Sequence, residues 1–289
     1  MMSVSIRAIA IILRIISGLS IIIYLFFLFF FFCKIKALTM SNKYNIQFCL
    51  SNLIYSISMV IPDIRDIPIL CKCQSSITLF AELNTIAIGT YIVIIAQLNF
   101  VNINILDKEK TKVYIVSIIT SWIFPFIYAF IAYFFSGSTS ISEFCWLSEP
   151  YFIFSYIGIR MIYFIVFFYY LYKLIRELKV YHCKINLGEI YNEYISRIKC
   201  CAIGMVMLMI IFILYSIQNF LLDYKEGDKE TSNFLYIFTV IADVLSHPIV
   251  VLLFVLTKDN INTICCKKGK EEPIMNISLM FHREDREED

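Results

Sequence analysis

The sequence predicts an all-α protein, a seven-transmembrane helix bundle with its N-terminus outside the cell and its C-terminus in the cytosol. Three observations carry that expectation. First, 60% of the 289 residues are hydrophobic and only 17% are charged, where a soluble domain is nearer about 25% charged. Second, seven apolar stretches approach or exceed the ~20 residues that a spanning helix needs: 11–32, 44–61, 75–101, 113–135, 150–172, 200–222 and 233–256. Third, eighteen Lys and Arg residues lie in the odd connections and the tail, against six in the N-terminus and the even connections. Basic residues collect on the cytosolic side, which places the C-terminus there. An odd number of spans puts the N-terminus on the other side, so the two arguments agree.

The first stretch has the basic flank of a signal peptide in Arg7 and Arg14, but it is too long, and its bulky Phe26–Phe32 tract offers no small-residue cleavage site. It reads as a retained helix, with Arg14 near enough to its outer end to snorkel to the headgroups. The second stretch is the shortest. The connections are short, so residues 1–266 form one membrane domain. The loop 136–149 opens with a Ser/Thr/Gly run and reads as flexible. Leu174, Ile175 and Leu178 alternate with Lys173, Arg176 and Lys179, so the fifth helix is expected to continue past the membrane. After the last span, 258–266 reads as a short amphipathic eighth helix along the inner leaflet. It ends in Cys265 and Cys266, candidates for palmitoylation. Residues 267–289 close the chain as an acidic, disordered cytosolic tail.

The chemistry concentrates in the third stretch. An unpaired carboxylate in hydrocarbon is so costly that Glu82 should face protein or a wet cavity. Asn84 follows it. Arg160 in the fifth span and Asp243 in the seventh lie at similar depth, about 13–15 Å from the outer end at 1.5 Å per residue. Glu82, Asn84, Arg160 and Asp243 are therefore the candidate ligand-binding residues, since buried charge in a bundle marks a site. His247 shares a helix face with Asp243 and is expected to bond a backbone carbonyl; Asn52 is a further candidate for this cluster.

Three cysteines face outside: Cys71, Cys73 and Cys145. In that oxidising compartment a disulfide between the third helix and the fourth-to-fifth loop is expected. Cys145 has either Cys71 or Cys73 as partner, and Cys73, closest to the expected helix start, is preferred. No cysteine or histidine spacing suggests a metal, and nothing suggests a cofactor or a nucleic-acid partner. The His-Glu-x-x-His of a membrane metalloprotease is absent, and Asp243 has no second intramembrane aspartate for an aspartyl dyad. An enzyme is not expected.

Seven spans, a cysteine opening the third, Trp122 with Pro125 in the fourth and Cys145-Trp146 in the next loop together resemble a G-protein-coupled receptor. The Cys-Trp pair is similar to that of the cyclic-AMP-receptor-like and secretin-related branches. Ser246-His247-Pro248, followed by 258–266, resembles the seventh-helix ending of rhodopsin-like receptors. The resemblance implies a plasma-membrane receptor that passes an extracellular ligand's signal to a heterotrimeric G protein. It also implies that the basic residues Lys173, Arg176, Lys179, Arg197 and Lys199 meet that G protein. Two features depart from it: the third helix ends Ala96-Gln97-Leu98 without an arginine, and the sixth span has no proline. The alternative is a seven-helix transporter for a small polar solute. That class favours helix breaks at the midplane and internal repeats, whereas only Pro125 and Pro248 lie deep in spans and no repeat is evident.

Overall fold

The computed structural model describes residues 2–34, 40–61, 67–101, 112–136, 138–141, 144–147, 149–184, 202–214 and 241–252, with single positions at Lys199, Ser216 and Phe238. These residues form helices α1 (Met2–Lys34), α2 (Met40–Val60), α3 (Pro68–Val101), α4 (Lys112–Phe135), α5 (Pro150–Lys184), α6 (Ala202–Leu214) and α7 (Ile241–Leu252). A two-stranded hairpin, β1 (Ser138–Ile141) and β2 (Phe144–Leu147), joins α4 to α5. Four helices are long and apolar enough to cross a membrane, at Ala8–Cys33, Pro68–Leu98, Lys112–Phe135 and Tyr151–Leu178. A chain with several such helices is a membrane protein by the length and apolarity that hydrocarbon demands.

α3 is the central post. Within its spanning window 72% of residues are buried, against 22–33% for the other three. It packs on α2, α4 and α5 and on both strands of the hairpin. α1 packs on α2 and turns Ile11, Ile15, Leu19, Ile22, Phe26 and Phe29 outward. That exposed apolar face suits lipid and would be a liability in water. The largest core is aromatic, with Tyr24, Phe31, Phe48, Phe164, Phe167 and Phe212 buried together. Gly89 of α3 lets α6 come close: a Cβ built there would lie 2.9 Å from the Met205 sulfur.

α2 and α3 are held by a ladder of small polar side chains. Ser51 donates to the Ala81 carbonyl at 2.9 Å and meets the Thr85 hydroxyl at 2.9 Å, and Ser58 meets Thr78 at 2.9 Å. Small hydroxyl residues let helix backbones approach closely and supply bonds that lipid cannot.

α4 contains one π turn, Ile119–Ile123, in which the Phe124 N–H reaches back to the Ile119 carbonyl. The cause lies in the next residue. Pro125 has no N–H to offer the preceding turn, and the backbone accommodates the break by widening locally.

The hairpin end of the bundle differs from the sequence expectation in two ways. The loop 136–149, expected to be flexible, contains the paired hairpin, with Ser140 opposite Cys145 and Ile141 opposite Phe144. The disulfide joins Cys145 to Cys71, not to Cys73. The reason is where α3 begins. It starts at Pro68, a residue type suited to a first helical turn, so Cys71 already lies on the helix. At about 100° per residue, positions two apart point to nearly opposite sides. Cys71 faces the hairpin, and Cys73 is a half-buried free thiol. Gln74 reinforces the junction. Its Oε1 accepts from the Cys145 N–H at 3.3 Å while its Nε2 donates to the Ser58 carbonyl at 2.9 Å.

Candidate functional site

Glu82 sits eleven residues after Cys71 on α3, about 16 Å along the helix axis. Arg160 stands ten residues into α5. Their side chains meet, with Arg160 Nη1 2.8 Å from Glu82 Oε2, at 5% and 6% side-chain exposure. Tyr156 lies one turn from Arg160 on the same face of α5. It donates its hydroxyl to Glu82 Oε2 and accepts from Arg160 Nη1. The guanidinium also lies over two rings, 4.7 Å from the Phe212 centroid on α6 and 5.2 Å from that of Tyr156. A cation over an aromatic face gains most where water is excluded. Charge-assisted bonds are likewise strong here, and losing either partner leaves a buried charge uncompensated.

α7 closes the other side of Glu82. Asp243 lies beside the Glu82 carboxyl and accepts from the Tyr55 hydroxyl of α2 at 2.5 Å. His247, one turn along α7, stacks on the Tyr55 ring with centroids 3.7 Å apart and planes 16° apart. Its Nδ1 is 2.6 Å from Asn52 Oδ1, and since that oxygen only accepts, Nδ1 carries the proton. Nε2 then faces Asp243 Oδ1 at 3.8 Å. Asn52 is fixed in turn by donating from Nδ2 to the Phe48 carbonyl at 2.7 Å. One continuous polar cluster thus links α2, α3, α5 and α7, and its guanidinium caps a ring of α6.

Three of the four candidate ligand residues, Glu82, Arg160 and Asp243, are brought together. Asn84 is not. Two residues from Glu82 on a helix, it points to nearly the opposite side. It is fully buried, and neither amide atom has a hydrogen-bond partner among the described residues. The expected carbonyl partner of His247 is replaced by the Asn52 side chain, because the ring reaches across to α2. Tyr55 and Tyr156 were not anticipated. Tyr156 had a signal in its four-residue spacing from Arg160, which places a hydroxyl on the face of the buried cation. Tyr55 had none that separates it from the other 18 tyrosines of the chain.

Among the expected G-protein contacts, Lys173, Arg176 and Lys199 are exposed, and Lys179 lies on α5. Arg197, the lipidation candidates Cys265 and Cys266, the eighth helix 258–266 and the tail 267–289 lie outside the described residues. No group of three or more His, Cys, Asp or Glu is arranged to hold a metal among the described residues.

A second network, with only neutral hydrogen bonds, ties α2 to α4 nearer the other end of the bundle. Gln47 accepts from Trp122 Nε1 at 3.2 Å and donates to the Tyr114 hydroxyl at 3.1 Å. Tyr44 donates to Ser117 Oγ at 2.6 Å, and the hydroxyls of Tyr91 on α3 and Thr120 on α4 are 2.6 Å apart. Trp122 also packs against Phe80 of α3 with centroids 5.9 Å apart, so its indole has both an apolar and a polar partner.

Two networks that cross between helices and a tethered hairpin lie within a helical membrane protein whose long apolar helices are of membrane-spanning length. The sequence matches no protein-family model and no curated protein.

Proposed function

We propose that the chain is a multi-pass plasma-membrane receptor of the G-protein-coupled type, with seven spans, its N-terminus outside, and a polar extracellular ligand whose signal passes to a heterotrimeric G protein. The observation that carries the reading is the Cys71–Cys145 bond, which ties the first turn of the third helix to a hairpin between the fourth and fifth. In this reading the bond holds an extracellular loop over the bundle mouth, at the end opposite the one a G protein would meet. The Trp122–Gln47 bond between the fourth and second helices and the basic cytosolic connections support the same reading. The charged cluster around Glu82 joins helices from both halves of the chain, so a ligand that draws on Arg160 or Asp243 biases how α5 and α7 sit against α3. The orientation rests on the eighteen-to-six distribution of Lys and Arg.

The test is G-protein dissociation, read by resonance energy transfer, in cells expressing the chain and screened with peptides and small polar molecules. The expected result is a saturable response that Arg160→Ala removes even when surface expression is matched. Ligand-independent flux of a labelled polar solute into vesicles containing the purified chain, with no G-protein response to any compound, would overturn the reading in favour of a transporter.

A further inference from the structure

α5 carries a stripe that faces away from the bundle. Tyr151, Phe154, Ile162, Ile165, Tyr169 and Tyr172 are each 53–86% exposed, and their spacing puts them on one side of the helix. Tyr151 and Tyr172 are 21 residues apart, about 31 Å along the axis, against a hydrocarbon thickness of about 30 Å. Tyrosines favour the two membrane–water interfaces, so this stripe is a lipid-facing surface with an aromatic residue at each boundary.

Lys173 and Arg176 continue the same stripe. Each follows a tyrosine by four residues, Tyr169 to Lys173 and Tyr172 to Arg176, and both are exposed. The Lys173 ammonium stands 4.9 Å over the Tyr169 ring. The opposite side of α5 at this depth is committed to the bundle, with Leu171, Leu174 and Leu178 at most 7% exposed, and on the flank Glu177, four residues after Lys173, meets Gln97 of α3 at 3.4 Å. The two cations therefore stand on the lipid side of the helix at the level of the headgroups, Lys173 on the flank nearer Glu177.

We propose that Lys173 and Arg176, with Tyr169 and Tyr172 beside them, form a headgroup site for an anionic phospholipid of the leaflet at the basic end of the bundle. The occupant follows from charge complementarity: two cations at the end of an acyl-facing stripe meet a phosphate that is covalently joined to acyl chains. The site rests on α5 spanning the membrane and not on coupling to a G protein. It assigns to lipid two residues that the sequence resemblance gives to the G protein.

The experiment is native mass spectrometry of the full chain released from nanodiscs of phosphatidylcholine with either phosphatidylserine or a phosphoinositide, without ligand or G protein. The wild type is expected to retain anionic lipid over phosphatidylcholine. The double variant Lys173→Gln/Arg176→Gln is expected to lose retention about 25-fold, since each cation near an anionic surface contributes roughly fivefold. The charge-keeping Lys173→Arg/Arg176→Lys variant should retain it. Equal anionic retention by wild type and the Gln variant would overturn the site. So would loss of purified G-protein binding by the Gln variant in wholly neutral nanodiscs, which would assign the pair to that protein. A chain that shows no G-protein response at all leaves the lipid result intact, so failure of the receptor reading is separately visible.

Discussion

The two polar networks inside the bundle differ in kind. The one around Glu82 is charged, spans α2, α3, α5 and α7, and contains bonds whose loss strands an ion. The one around Gln47 has only neutral hydrogen bonds, among hydroxyls, an amide and an indole, and spans α2, α3 and α4, with the Lys43 ammonium 5.2 Å over the Tyr114 ring. Both satisfy polar groups that lipid would leave unpaired. Only the first makes helices depend on one another for charge compensation, so it should behave as a single unit, whereas the second should come apart bond by bond.

The largest expected effect is at the ion pair. Arg160→Ala or Glu82→Ala leaves a buried charge without its partner and should cost about 3–5 kcal/mol, seen as loss of folded chain at the cell surface. Replacing both together, with Arg160→Met and Glu82→Leu, should recover much of the expression, because a buried pair is often near neutral against apolar residues of similar size. If the double variant expresses no better than the singles, the cluster does not act as a unit.

Next is the hairpin tether, which neither network duplicates. Cys71→Ala opens a loop of 74 residues and should cost about 2–4 kcal/mol, whereas Cys73→Ala should leave surface expression unchanged. Thiol labelling from outside should find Cys73 alone in the wild type and Cys145 in addition in Cys71→Ala.

Smaller again is Gln47→Leu. It removes two neutral bonds, and membrane hydrogen bonds average about 0.6 kcal/mol each, so a loss of roughly 1 kcal/mol in a thermal-unfolding series is expected. Smallest is Tyr91→Phe, which removes only the hydroxyl contact with Thr120 and should cost about 0.6 kcal/mol. If the effects of Gln47→Leu and Tyr91→Phe fail to add, the neutral network is cooperative after all and the contrast with the charged one weakens.

The charged network was largely legible in the sequence and the neutral one was not. Glu82, Arg160 and Asp243 stand out because hydrocarbon makes each intolerable alone, and equal depth on separate helices then nominates them as neighbours. Gln47, Tyr114 and Ser117 carry no such signal, since an amide or a hydroxyl in an apolar run satisfies itself locally as readily as across helices. The hairpin was missed because Ser136-Gly137-Ser138-Thr139 has the composition of a loop, and its pairing is imposed by the tether at Cys145. The choice between Cys71 and Cys73 turned on where α3 begins. A boundary misplaced by a few residues changes which face a side chain occupies, and that face decided the partner.

The π turn in α4 sets the phase of that helix. Its buried positions at Ser117, Ser121, Pro125 and Ala129 recur every fourth residue. In a regular α-helix each step of four overshoots a full turn by about 40°, and three such steps would carry Ser117 well round toward lipid. The extra residue held in 119–123 cancels most of that drift, so both halves of the helix present the same side to α2 and α3. The phase of the helix consequently depends on that turn staying wide. Apolar exchanges within the turn leave the phase intact. Closing the turn to regular α-helix at full length would swing 112–118 by about 100°, separating Ser117 from Tyr44 without removing a single interacting side chain.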